Sequence, residues 1–239
     1  MKTPVFRKSP RTPRLRSHAG WLRLPPFANT ADLLVYVHLS HALCRIDVEF
    51  PMLYQWILLQ NGSLPLKPDQ QFTSEPHVCS ATLVWPVDTA PAETNSLVVD
   101  PCFSTSGLTF AVRQLSALGA SLEDIGFFFE THGHGDHVLN IRPRSSAASS
   151  HWSTRQWRRW TVSAQQDLDA TRGIQPISCP GHADDLQALR FATREGETWI
   201  VGDAILDLQW LRLWQYYWPN MYGRDDVLQT WRTVAEILA

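Results

Sequence analysis

Cysteine is scarce in this chain. Four residues, Cys44, Cys79, Cys102 and Cys179, are spread over 239 positions with no CxxC pair among them. That spacing excludes a disulfide-dense small secreted scaffold and a cysteine-based zinc ribbon, and it fits a reducing, cytoplasmic setting. Long apolar runs are also missing: no stretch of about 18 apolar residues reads as a membrane span. The N-terminus lacks the charged, apolar and small-residue order of a secretory signal. Acid is absent from the first 26 residues, which carry seven cations: Lys2, Arg7, Lys8, Arg11, Arg14, Arg16 and Arg23. Subtracting those seven from the net charge of −2 leaves the remainder at −9. A body this acidic is a poor match for a phosphate backbone, so a small-molecule substrate is expected and nucleic acid is not.

What is present can bury a core, since 44% of the chain is hydrophobic. Residues 1–30 are basic and hold Pro4, Pro10, Pro13, Pro25 and Pro26, which break any long helix, so an unstructured tail is expected there. A transit-peptide reading suits the arginines but not the prolines. Residues 31–49 form an uncertain lead-in, in which Leu33, Leu34, Val37 and Leu43 allow a helix while Val35 and Tyr36 allow a strand. Three β-like runs follow, Leu53 to Gln60, Ala81 to Pro86 and Ser96 to Asp100, with turn-rich stretches between them.

Leu108, Ala111, Leu115 and Leu118 repeat at helical spacing, and Gly119 follows as a stop. Ser121 and Asp124 form a possible capping pair before the apolar run Ile125 to Phe129, which leads directly into a histidine-rich segment. The stretch from Arg142 to Arg159 reads as a loop or rim, followed by a possible helix from Ser163 to Ala170. Ala188 to Ala192 and Thr198 to Val201 read as two strands joined by Arg194-Glu195-Gly196-Glu197. Val227, Trp231, Val234 and Leu238 predict a closing amphipathic helix.

The segment Thr131-His132-Gly133-His134-Gly135-Asp136-His137 places three imidazoles and a carboxylate within six residues. Such a cluster is costly to desolvate unless a divalent cation repays the cost. Neutral imidazoles suit zinc or iron, and a carboxylate beside them admits a harder or a second metal. The two glycines let the loop turn sharply between ligands.

This run matches HxHxDH, and with it the chain resembles the metallo-β-lactamase superfamily over roughly residues 50–239. Pro180-Gly181-His182, Trp199-Ile200-Val201-Gly202-Asp203 and Leu97-Val98-Val99-Asp100 are similar to further family segments in the same order. The resemblance implies a four-layer αββα sandwich with its ligands at one edge of the sheets. It implies that His132, His134 and His182 hold a first metal, that Asp136 and His137 hold a second, and that Asp203 bridges both. Zinc is the expected ion, one or two, with iron or manganese as alternatives. Asp136 would also act as the catalytic carboxylate that orients the nucleophile. Asp100 fits an orienting partner of a metal-bound imidazole better than a ligand.

One departure is plain: relatives supply another histidine near the C-terminus, and this sequence has none beyond His182. Two readings follow from that departure. The domain is C-terminally shortened, leaving an unpaired strand edge, or one metal binds well and the second weakly. His77 and His151 read as ordinary surface or core histidines, although folding could bring either to the site. The implied activity is hydrolysis of a small ester, thioester or lactone, because many true β-lactamases have cysteine where Asp136 stands. The comparison within the family is with glyoxalase II-like enzymes, without a glutathione-binding pattern. An iron-dependent sulfur dioxygenase and a degenerate, non-catalytic member are the alternatives.

Overall fold

The computed structural model describes residues 5–8, 52–69, 71–139, 157–160, 173–214 and 222–239. Nine strands and three helices occur among them: β1 (Val5–Lys8), β2 (Tyr54–Gln60), β3 (Ala81–Pro86), β4 (Leu97–Val99), α1 (Thr105–Ala117), β5 (Phe127–Phe129), β6 (Arg158–Arg159), β7 (Gln175–Ser178), β8 (Gln187–Thr193), β9 (Gly196–Ile200), α2 (Leu208–Arg212) and α3 (Arg224–Leu238). The expected lead-in at 31–49, the possible helix from Ser163 to Ala170 and His151 lie outside the described residues.

The strands join in the order β1-β9-β8-β2-β3-β4-β5-β6, with β7 also paired to β8. Among the described residues a single parallel pair, Tyr54 with Thr193, links the half containing β2 to β6 with the half containing β7 to β9 and β1. Because successive side chains of a strand point to opposite faces, each half has an inner and an outer surface. In the first half Leu97, Val99, Phe127 and Phe129 point inward, and they meet Leu189, Phe191 and Ile200 of the second half in one buried cluster. The alternate residues Val98 and Phe128 point outward, where Leu83 joins them against Ala111 and Leu115 of α1. On the far side, Ala188 and Trp199 pack with Val234 and Ile237 of α3. Helix, sheet, sheet and helix are therefore stacked in four layers around three apolar interfaces, the α/β sandwich expected from the sequence.

Local chemistry sets the ends of these elements. Ser104 caps α1, its hydroxyl accepting the Gly107 amide at 3.0 Å, and Gly119 leaves the helix at φ +70°. Ser121 and Asp124 cap a short 3-10 turn reciprocally. Buried Gln60 fixes α1 to the sheet: its Oε1 accepts from Ser104 N at 2.8 Å, and its Nε2 donates to the carbonyls of Cys79 at 2.9 Å and Cys102 at 2.8 Å. The buried stripe of α3 runs through Thr230, Thr233, Val234 and Ile237, rotated from the one read in the sequence because two threonines lie inside. No helix among the described residues is long and apolar enough to cross a membrane.

Two expectations need correction. Val5–Lys8, assigned to an unstructured tail, form β1 antiparallel to β9, with Val5 opposite Ile200 and Lys8 opposite Glu197. The open edge expected on this side is thus occupied, because the unsatisfied amides and carbonyls of an outer strand are a template for any extended segment. Within the presumed rim, Arg158–Arg159 form β6, parallel to β5. Arg159 makes an ion pair with the side chain of Glu130.

Phe191 is fully buried where the two half-sheets meet. Phe191→Ala should therefore destabilise the protein by about 3–5 kcal/mol, read as a shift of the urea midpoint at unchanged slope. A loss below about 1 kcal/mol would mean that the two halves do not share this core.

Candidate metal centre

Four strand ends converge at one edge of the sandwich. Strands β4 and β5 run parallel and deliver Asp100 and the Thr131–His137 loop from the first half. In the second half β7 and β9 both pair antiparallel with β8, so Cys179-Pro180-Gly181-His182 and Val201-Gly202-Asp203 emerge beside the start of β8. The Gln187 amide of β8 donates to the Thr131 carbonyl at 2.8 Å, closing the gap between the halves. Gly202, at φ +52°, brings its backbone so close that an added Cβ would lie 2.7 Å from Thr131 Oγ1.

His132, His134 and His182 come together, with ring centroids 4.5, 4.8 and 5.0 Å apart. One donor atom from each lies within 4.8 Å of the others, and a second such group joins His132, His137 and Asp203. Asp203 spans the two groups: Oδ1 is 3.3 Å from His137 Nε2, and Oδ2 is 3.3 Å from His182 Nε2. Asp136 stands farther out, with Oδ2 3.7 Å from His137 Nε2. His77 is not an isolated surface residue, since its Nε2 lies 3.4 Å from Asp136 Oδ2.

Asp100 is fully buried and organises the loop. Its Oδ1 accepts the Thr131 amide at 2.7 Å, and its Oδ2 accepts the Thr131 hydroxyl at 2.9 Å. His137 Nδ1 lies 2.9 Å from the same Oδ2. A carboxylate only accepts, so His137 carries its proton on Nδ1. Thr131 has already given its one proton to Asp100, so its oxygen accepts from His132 Nδ1 at 3.1 Å. In the neutral rings both Nε2 atoms are then bare lone pairs, the form that a metal takes.

His132 Nε2, His137 Nε2 and Asp136 Oδ2 are buried without a hydrogen-bond partner, a costly condition that a bound cation would relieve. The donor chemistry therefore fits a divalent metal. Burial, followed by the neighbouring His137, lowers His132 from 6.5 to about 2, and burial likewise lowers His182. Burial also opposes charge on His137, but the carboxylates of Asp100 and Asp203 outweigh it and raise that pKa to about 11. Asp203 is held well below the usual carboxylate range: burial works against its charge, and His137, His182 and His132 overcome it.

Three contacts carry no sequence signal. Tyr222 Oη lies 3.4 Å from His182 Nδ1, with the two rings 5.4 Å apart. Asp185 accepts the Gly133 amide at 3.0 Å and fixes the loop between its histidines. Glu130 accepts the Leu139 amide at 2.8 Å. Each joins residues distant in the chain or carried by an irregular segment, where no periodicity exists to read. Cys179 is buried in the second-half core, which raises its thiol to about 11 and removes it from metal chemistry at neutral pH.

The raised pKa of His137 has a definite sign. Between pH 6.5 and about 8.5, below the range where thiols ionise, unfolded His137 is neutral and folded His137 is charged. Folding then takes up a proton, so the metal-free protein should lose up to about 1 kcal/mol of stability per pH unit across this window. Asp100→Asn should flatten that dependence, and zinc addition at pH 7.5 should release about one proton into a weakly buffered solution. A pH-independent midpoint together with proton-free binding would show that His137 is already neutral.

No protein-family model matches the chain, and no curated protein sequence matches it. Among solved structures it is similar to a Thermotoga maritima protein provisionally assigned as a metallo-β-lactamase, at 13% identity and a TM-score of 0.37 over 60% of this chain and 75% of that one. It is also similar to the metallo-β-lactamase SMB-1 bound to 2-mercaptoethanesulfonate, at 15% identity and a TM-score of 0.29 over 50% of this chain and 54% of that one, about half of the lactamase. The chain's own donor geometry makes the site a candidate metal centre, with His132, His134 and His182 in one donor group and His132, His137 and Asp203 in a second, at one edge of an α/β sandwich.

Proposed function

We propose that this protein is a metal-dependent hydrolase acting on a small ester, thioester or lactone. The observation that carries the reading is the pair of adjoining donor groups sharing His132 and spanned by Asp203, with three buried donor atoms left unpartnered. His132, His134 and His182 would hold one divalent cation, and His137, Asp136 and Asp203 a second. When bound, such a cation supplies Lewis acidity and brings the pKa of water from about 16 towards 7. Zinc suits this mixed imidazole and carboxylate set, and iron or manganese would also be accepted by it.

The chain's own groups have separate tasks. Asp100 holds His137 directly and His132 through Thr131, so that neither imidazole must reorganise when charge develops nearby. Asp203 presents one oxygen to each donor group and keeps them in register. Asp136, with a partly exposed side chain at the rim, is placed to orient an attacking water. Tyr222 lies beside His182 and can offer its hydroxyl to a substrate carbonyl on that side. The negative charge of the chain after its basic N-terminal segment favours a small neutral or weakly charged substrate over a polyanion.

Hydrolysis of a panel of chromogenic esters, thioesters and lactones should rise in proportion to bound metal, disappear with a chelator and return on zinc addition. His132→Ala and His182→Ala should each lose the tighter ion, and Asp203→Ala should chiefly empty the second position. Each variant should reduce kcat/KM by at least about a hundredfold, since metal-derived stabilisation of the transition state is worth several kcal/mol. Full metal loading with no turnover on any member of the panel would exclude the hydrolase reading in favour of a binding role or a redox reaction. Unchanged metal content in all three variants would overturn the ligand assignment.

A further inference from the structure

The three buried imidazoles of the centre, His132, His137 and His182, each meet an oxygen at Nδ1. Thr131 Oγ1 lies 3.1 Å from His132 Nδ1, and Asp100 Oδ2 lies 2.9 Å from His137 Nδ1. The same relation recurs in the second half, where Tyr222 Oη lies 3.4 Å from His182 Nδ1. At the opposite side of the ring, His137 and His182 both turn Nε2 to Asp203, each 3.3 Å from one of its oxygens. His182 Nε2 is also 2.9 Å from His134 Nδ1, inside the first donor group. A neutral imidazole carries one ring proton, so an Nε2 given to a cation leaves that proton on Nδ1, where an oxygen must accept it.

The Tyr222 contact is the longest of the three, so what holds its two partners matters. The segment carrying His182 is seated on α3 one residue at a time. Thr233 Oγ1 donates to the Pro180 carbonyl at 2.8 Å. Gly181, at φ +131°, lies so close to Thr230 that an added Cβ would sit 2.3 Å from its amide nitrogen. His182 comes next, its ring centroid 5.4 Å from that of Tyr222 and the two planes inclined by 38°. Tyr222 in turn stands directly before α3, where Asp226 Oδ2 accepts the Gly223 amide at 3.0 Å. The Gly223 carbonyl accepts the Val227 amide at 3.2 Å, which fixes the first turn of the helix. Both rings are thus held to one helix, and their meeting is the third contact of a series that begins at Pro180.

We propose that Tyr222 is a positioning residue for the first donor group: its oxygen accepts the Nδ1 proton of His182 and so holds Nε2 as the lone pair offered to the cation. The inference rests on the metal-centre reading above and names the group that orients its third imidazole. In the metal-free chain Asp203 Oδ2 competes for the same proton at Nε2, and Tyr222 draws it to the far side of the ring. A tyrosine hydroxyl accepts and donates at once, so taking this proton leaves its own O–H for a substrate. Packing against His182 needs only the ring, whereas fixing the tautomer needs the oxygen.

The test compares the wild-type chain with Tyr222→Phe, which keeps the ring and removes only the oxygen. Zinc affinity is read by competition with a chromophoric chelator, and ring protons by nuclear magnetic resonance of histidine-labelled, zinc-loaded protein. Metal-free melting temperatures serve as the folding control. Tyr222→Phe should weaken the tighter ion by about 10–100-fold, the usual worth of an orienting partner. It should also speed the exchange of the His182 Nδ1 proton with water, while the His137 Nδ1 proton on Asp100 exchanges as in the wild type. In the wild type itself the His182 Nδ1 proton should show a nuclear Overhauser contact with the Tyr222 ring, a measurement that does not depend on the variant folding. Wild-type affinity or unchanged His182 proton exchange in Tyr222→Phe, or the absence of that contact, would overturn the inference and leave the metal centre standing. A wild type that binds no metal overturns the metal-centre reading and the inference with it.

Discussion

The Asp100 carboxylate has no contact with solvent, and three hydrogen bonds to two residues of one loop converge on it. It sits one residue past β4 at φ +52°, a backbone conformation that a non-glycine residue holds only when its surroundings enforce it. From there it aims the Thr131 hydroxyl at His132 and takes the Nδ1 proton of His137 as its partner. Both Nε2 atoms are thereby turned towards the candidate metal position, that of His132 as a bare lone pair. Without this carboxylate the loop would have no reason to hold two imidazoles in one orientation, and the donor groups would have no common centre.

Much of this was legible from local pattern. β3 was readable to its ends because Ala81 to Pro86 is an uncharged β-like run between turn-rich stretches, and the fold buries all six residues. The helix at α1 was readable because Leu108, Ala111, Leu115 and Leu118 repeat at helical spacing, and the fold buries Ala111 and Leu115 of that set. The ligand segment stood out because imidazoles rarely crowd together without cause. What escaped was non-local. β1 pairs with a strand at the far end of the chain, and nothing in Val5-Phe6-Arg7-Lys8 names its partner. β6 is two arginines without alternation, and its strand character comes from the neighbouring β5. His77 carries no motif, and only folding brings it to Asp136. The burial of two threonines in α3 was hidden for a similar reason. Thr230 Oγ1 donates back to the Asp226 carbonyl within the helix, whereas Thr233 Oγ1 donates to Pro180 beside the His182 loop.

The electrostatics explain how the centre can exist before a metal arrives. Four imidazoles and three carboxylates meet here, and in water each would keep its own hydration. Burial drives His132 and His182 to the neutral form, while Asp100 and Asp203 keep a proton on His137. That proton occupies the place of positive charge that a cation would fill more strongly. The proton on His137 and a cation would therefore compete for one nitrogen, and a metal bound there would displace that proton.

The same arrangement couples the site to the layering of the fold. His132 and His137 belong to the first half-sheet, and His182 and Asp203 to the second. Among the described residues the halves share the inner core and one backbone pair between strands. At the functional edge they are joined by the amide of Gln187 on Thr131 and by the close approach of Gly202 to the same residue. A cation bound between His132, His134 and His182 would add direct bonds across that seam. Such a cation would stabilise the joined arrangement of the two halves by mass action, because it would bind only the folded form.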